Sequence, residues 1–253
     1  MAARTSMTVR VQSVDGKYLG DDIGGALVSI RNARTGRVLA EGVTRGDNGE
    51  LITRYREGAS LATIVADGQE PTLLWLAPGP KTASFHASLA LDEPTVLEVS
   101  AHGPLGGLQS AVRVSTEVAV VPGQEIDGLV LLVPGLLVQV MSPATHAAVS
   151  RPSATITLSA NVTLMCGCPI TTRPIAPAEV PLWPPSDFEV HALICRVGDA
   201  SPVTVPLLYV EGSTSLFQAE YTVDAPGDYA ATIVAYQPRT RNAGMGKVTW
   251  FMR

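Results

Sequence analysis

Apolar and polar residues alternate with a period of two along most of the chain, in short runs separated by turn residues. Thr155 to Met165 is the cleanest case: Ile156, Leu158, Ala160, Val162 and Leu164 fall on one face, and Thr157, Ser159, Asn161 and Thr163 on the other. This is the pattern of a strand buried on one side. Phe188 to Val197 repeats it, with Phe188, Val190, Ala192 and Ile194 on one face and Glu189, His191, Leu193 and Cys195 on the opposite one. Further strands are predicted at Met7–Val14, Ala26–Ile30, Val38–Ala40, Ser60–Ala66, Thr72–Leu76, Thr82–Leu89, Thr95–Ser100, Ala111–Val121 and Ile126–Val133. Later come Leu136–Met141, Val203–Val210, Ser215–Thr222, the run from Tyr229 to Ala235, and Gly246–Met252. Asp15-Gly16, Thr35-Gly36, Asp47-Asn48-Gly49 and Pro122-Gly123 separate several of these runs, because Asn and Gly accept positive φ cheaply. No window carries the period and caps of a long amphipathic helix. The pattern predicts an all-β protein of sandwich type.

Composition agrees. Of 253 residues, 46 % are hydrophobic and only 16 % charged, with 23 glycines and 19 prolines. That is enough apolar material for one large core or two ordinary ones. Val133-Pro134-Gly135 breaks an otherwise apolar run and is the best boundary. It predicts two tandem β-sandwich domains, residues 1–134 and 135–253, joined too closely to be beads on a tether. The formal charge is -5, of which -4 falls within Met1–Gly135. No basic stripe interleaved with aromatics occurs, which argues against a nucleic-acid partner. The most apolar run, Gly128–Met141, contains Pro134 and Gly135 and is too short to span a bilayer, so no transmembrane segment is expected. Met1–Arg10 lacks an apolar signal core. The expectation is a cytoplasmic chain, or a periplasmic or secreted one from which a signal peptide was removed.

Two resemblances follow from particular residues. The run Asp22-Ile23-Gly24-Gly25-Ala26-Leu27-Val28-Ser29-Ile30, then Thr35-Gly36-Arg37, Thr44 and Asp47-Asn48-Gly49, resembles the carboxypeptidase regulatory-like, or transthyretin-like, domain. Val121-Pro122-Gly123-Gln124 and the strand after it look like the closing hairpin of that family, so the resemblance spans roughly Thr8 to Val133. It implies a small β-sandwich that accompanies another module and has no catalysis of its own. From Leu136 to Arg253 the chain resembles immunoglobulin-like and fibronectin-like sandwiches. Asp224-Ala225-Pro226-Gly227-Asp228-Tyr229 stands where such folds turn into their penultimate strand. The resemblance implies that Tyr229 is a tyrosine-corner residue with its hydroxyl satisfied by nearby backbone. The inter-sheet cysteine pair of antibody domains, and its tryptophan, have no counterpart.

Candidate chemistry gathers between Thr155 and Val197, which holds all three cysteines, six prolines between Pro169 and Pro185, and His191. Three readings stay open. Cys166 and Cys168, two apart and on the core side by strand parity, are buried small hydrophobes, or one of them pairs with Cys195. Alternatively they form a soft pincer for copper or zinc, completed by Met165, His191 and Cys195, with Met245 as a further soft donor. Or Cys166 or Cys168 is a nucleophile, His191 its base, and Glu189 or Asp187 the orienting acid. Within the proline-rich loop, Leu182 and Trp183 either fold back to fill a gap or present a docking surface. His86, His102 and His146 read as solvated or locally bonded. Asp15, Asp21, Asp22 and Asp47 read as turn aspartates rather than a calcium site. No phosphate-binding, dinucleotide or metalloprotease motif occurs. The expected function is a non-catalytic binding or assembly module with a protein partner or a second copy. It would serve as an accessory subunit of an envelope or enzyme complex, and the alternative is a soft-metal protein.

Overall fold

A computed structural model describes residues 3–49, 78–150, 153–174 and 181–253. Their regular secondary structure is almost entirely strand, in four sheets. The predicted strands Ser60–Ala66 and Thr72–Leu76 lie outside the described residues. No helix among the described residues is long and apolar enough to cross a membrane. These residues divide into two compact units. The first comprises residues 3–49, 78–134 and 165–167, and the second 135–150, 153–164, 168–174 and 181–253.

The first unit has seven strands: β1 (Ala3–Ser13), β2 (Leu27–Asn32), β3 (Val38–Val43), β4 (Phe85–Leu91), β5 (Thr95–Gly103), β6 (Val112–Val120) and β7 (Glu125–Val133). One sheet has the order β4-β1-β7, with β1 antiparallel to β4 and parallel to β7. The other has the order β3-β2-β5-β6 and is antiparallel throughout. Alternation puts Met7, Val9 and Val11 of β1, Val28 and Ile30 of β2, and Leu97, Val99 and Ala101 of β5 in the core, all fully buried. Thr44 secures the entry to β2. Its hydroxyl donates to the Leu19 carbonyl at 2.8 Å and accepts the Ala26 N–H at 2.9 Å.

The second unit has nine: β8 (Leu136–Ser142), β9 (Ala147–Val149), β10 (Ala154–Leu164), β11 (Glu189–Arg196), β12 (Val203–Pro206), β13 (Leu208–Tyr209), β14 (Leu216–Val223), β15 (Gly227–Gln237) and β16 (Asn242–Met252). Its sheets have the orders β13-β14-β10-β8 and β12-β11-β15-β16-β9. Leu158, Ala160, Val162 and Leu164 of β10, Ala192 and Ile194 of β11 and Ile233 of β15 are all buried in its core. Trp183 is also buried there, so it fills a gap, and its carbonyl accepts the Thr171 N–H at 3.1 Å.

Four elements differ from expectation, the first being β1, which begins at Ala3 rather than at Met7. Val203–Val210 is two strands, because the chain changes sheet at Leu207: β12 pairs with β11 and β13 with β14. The break follows Pro206, which has no N–H to extend a ladder, and the Leu207 N–H is satisfied by the Val190 carbonyl at 2.8 Å. The final strand starts at Asn242, well before the predicted Gly246. Its two inward glycines are packing features, since a Cβ at Gly244 would collide with the Leu136 carbonyl and one at Gly246 would sit 2.6 Å from that of Val138. Strand β8 thus crosses close against β16. Strand β9, parallel to β16, spans only Ala147–Val149, too short a run to show a period.

Candidate functional site

Strand β10 ends at Leu164, and Met165-Cys166-Gly167 makes a tight turn with Gly167 at φ 77°. The Leu164 N–H donates to the Cys168 carbonyl at 3.1 Å, closing that turn. Met165, Cys166 and Cys168 are buried, as parity predicts for the thiols, and no disulfide joins any of the three cysteines. By their contacts Met165–Gly167 belong to the first unit, where the Lys17 N–H donates to Cys166 Sγ at 3.3 Å; Cys168 belongs to the second.

The other candidates lie elsewhere. Val190, Ala192 and Ile194 of β11 are buried, so Glu189, His191, Leu193 and Cys195 point out of the second unit's core. His191 and Cys195 share that outer face but stand four residues apart on one strand, about 13 Å along it. That is beyond the reach of a single ion. Within the second unit Cys168 is buried, whereas His191 and Cys195 face outward from β11. Among the described residues no three His, Cys, Asp or Glu form a group fit to hold a metal.

Sequence reasoning missed a polar groove on the first unit, of 810 Å³, bordered by Asp21, Asp22, Arg45, Asn48, Lys81 and His86. Asp21 accepts the Gly46 N–H at 3.1 Å and pairs with Arg45 at 3.2 Å. The Gly46 amide, and after it Arg45, hold the Asp21 carboxyl below the usual carboxylate range. Asp22 accepts from Asn48 at 2.9 Å, and Asp47 accepts the Gly49 N–H at 3.3 Å. Asp47 therefore caps its own turn, as its sequence context suggested, while Asp21 and Asp22 tie their short 3-10 turn to the loop at Gly46 and Asn48. His86 lies between two hydroxyls, Ser84 Oγ 3.0 Å from Nε2 and Thr8 Oγ1 3.0 Å from Nδ1. With a hydroxyl rather than a carboxylate at Nδ1, the imidazolium that general-base catalysis creates gains little support.

The second feature is the outer face of β12-β11-β15-β16-β9. The ladder places Pro206, His191, Val234 and Met245 in one row across it, and Thr204, Leu193, Thr232 and Lys247 in the next. Glu189, Tyr236 and Ala243 form a third row. Leu193 is 37 % and Met245 52 % exposed. Glu189 and Lys247 are the only charges in these three rows. The signal was present in the sequence, since the polar face of β11 already carries Leu193 and Cys195, but ladder register was needed to align it with Val234 and Met245.

The class defined so far is an all-β protein of sandwich-like sheets, with an apolar outer face on one unit and a polar groove on the other. No family model and no curated protein matches the sequence. Among solved structures, the chain is similar in part to the crystal structure of an engineered protein. The identity is 18 % over 51 % of this chain and 22 % of that one, with a TM-score of 0.32.

Proposed function

We propose that this chain is a non-catalytic binding module, an accessory subunit that recognises a protein partner through the outer face of β12-β11-β15-β16-β9. The observation carrying this is the run of Leu193, Val234, Tyr236 and Met245 on solvent-facing positions, where an unpartnered sheet face ordinarily carries charge. Aromatic, Met and aliphatic side chains with few charges are the composition of an interface core.

The fold lends support. The order β13-β14-β10-β8 matches the D-E-B-A sheet of immunoglobulin-like domains, and β12-β11-β15-β16 matches C′-C-F-G. The Tyr229 hydroxyl donates to the Ala225 carbonyl at 2.7 Å, as a tyrosine corner does. Such folds serve recognition by loops or sheet faces. The first unit, read as transthyretin-like, supplies an accompanying module.

Photo-crosslinking in the native host tests the proposal. A photoreactive residue at Leu193 or Met245 should give one discrete adduct with the same protein. The adduct should disappear when Val234→Asp is added, while a probe at Val38 on the first unit gives none. Equal, diffuse labelling from all three positions would overturn it.

A further inference from the structure

Strand β6 is the outermost strand of β3-β2-β5-β6 and pairs only with β5 among the described residues. Its pairing runs from Val112 to Val120 without a bulge, and the strand contains neither proline nor glycine. Natural edge strands are usually blunted by shortness, proline or bulges. Here β12 has four residues and ends in Pro206, β13 has two, and β3 carries a register shift. Strand β6 is long and has neither proline nor bulge; of the usual devices it carries only charge, Arg113 and Glu117 of opposite sign, and its core-facing side is incompletely covered. Leu97, Val99 and Ala101 of β5 are fully buried, whereas their partners Val118, Thr116 and Val114 are only half-buried.

The sequence of this edge is self-complementary. Ala111 to Ala119 reads A-V-R-V-S-T-E-V-A. Antiparallel pairing of two copies about Ser115 sets Val112 against Val118, Val114 against Thr116, and Arg113 against Glu117, each pair occurring twice by symmetry. Within one copy Glu117 stands directly opposite Glu98 on β5, a like-charge cross-strand pair that is unfavourable. Arg31 flanks Glu98 on its far side. Arg113 from a second copy would flank Glu117 in the same way, so that each of the two adjacent glutamates has an arginine beside it.

We propose that the chain forms a two-fold symmetric homodimer by antiparallel addition of β6 to β6 of a second copy, in register about Ser115. The two four-stranded sheets then become one continuous eight-stranded sheet. The proposal concerns a different surface from the binding face described above and stands without it.

The test uses sedimentation equilibrium on the full chain between about 1 and 100 μM, with thermal melts confirming that each variant folds. The unaltered chain should dimerise. Glu117→Arg or Arg113→Glu alone sets like charges opposite each other and should weaken dimerisation at least about 100-fold. An equimolar mixture of the two variants should restore a dimer, and that dimer should be the heterodimer alone. In a Cys195→Ser background, Ser115→Cys should form a cross-linked dimer on mild oxidation, and the Cys195→Ser chain alone should not. A monomer throughout this range, unchanged affinity in both charge variants, or failure of the mixture to recover a dimer would each overturn the proposal.

Discussion

The phenol of Tyr229 lies flat on the indole of Trp250, with ring centroids 5.5 Å apart and planes 6° from parallel. Tyr221 approaches the same indole edge-on, at 6.4 Å and 68°. The pairing follows from the ladder, which sets Tyr229 of β15 directly opposite Trp250 of β16. The hydroxyl then reaches back over the preceding turn to the Ala225 carbonyl. One side chain thereby joins the turn to the hairpin, through a stack and a hydrogen bond whose loss can be measured separately.

Tyr229→Phe keeps the stack and removes the hydrogen bond. Its expected cost is about 1–2 kcal/mol, since the Ala225 carbonyl loses its buried donor. Tyr229→Ala also removes the ring and should cost about 3–5 kcal/mol. Urea unfolding followed by Trp fluorescence distinguishes the two. Equal losses would mean that the hydroxyl contributes nothing.

Alkaline pH should weaken the second unit through the same cluster. Burial is the main cause raising both Tyr221 and Tyr229 above the ordinary phenol value of 10.0. The folded chain therefore holds these protons at a pH where the unfolded chain has released them. Their contribution is fully present below about pH 10 and is lost as pH rises through the folded-state values. Urea midpoints should be level up to about pH 9 and then fall. The decline should be shallower in a Tyr221→Phe, Tyr229→Phe variant.

Most of the strand content was legible, because a two-residue period fixes both the element and the buried face. The outward aim of His191 follows directly from parity, whereas Cys166 lies beyond the end of β10 and is buried among residues of the first unit, as is Met165. What could not be read was juxtaposition. Parity places His191 on a face but does not say what stands beside it, so the sequence left a metal set of Met165, Cys166, Cys168, His191 and Cys195 open. The polar groove was invisible for a related reason. Asp21, Arg45 and His86 are far apart in sequence, and each alone looks like an ordinary turn or surface residue. Gly244 misled in a different way, since glycine signals a loop unless another backbone passes close by, and the final strand was therefore expected only from Gly246.

The close approach of β8 to Gly244 can be measured against a glycine that nothing approaches. Gly244→Ala forces a Cβ into the Leu136 carbonyl, whereas a Cβ at Gly128 of β7 meets nothing within 4 Å. The first variant should lose about 3 kcal/mol or more, because β8 must shift off β16. Gly128→Ala should gain about 0.5–1 kcal/mol from the reduced freedom of the unfolded chain. Similar changes in melting temperature for the two variants would show that β8 does not press on Gly244.

Thiol titration tests the cysteine geometry. Cys166 is wholly buried, Cys168 is 5 % exposed, and Cys195 is half-buried on the outer face of β11. Only a thiolate that the reagent can reach will react, so the buried pair must wait for the fold to open. The native chain should release one equivalent of thionitrobenzoate from Ellman's reagent quickly. The other two should follow at least about 100-fold more slowly, and all three should appear at once in denaturant. Cys195→Ser should abolish the fast phase and leave the slow one. A total of one thiol in denaturant would indicate a disulfide that this packing does not contain. Two fast equivalents would place Cys166 or Cys168 at the surface and return the Met165–Cys168 turn to consideration as a reactive site.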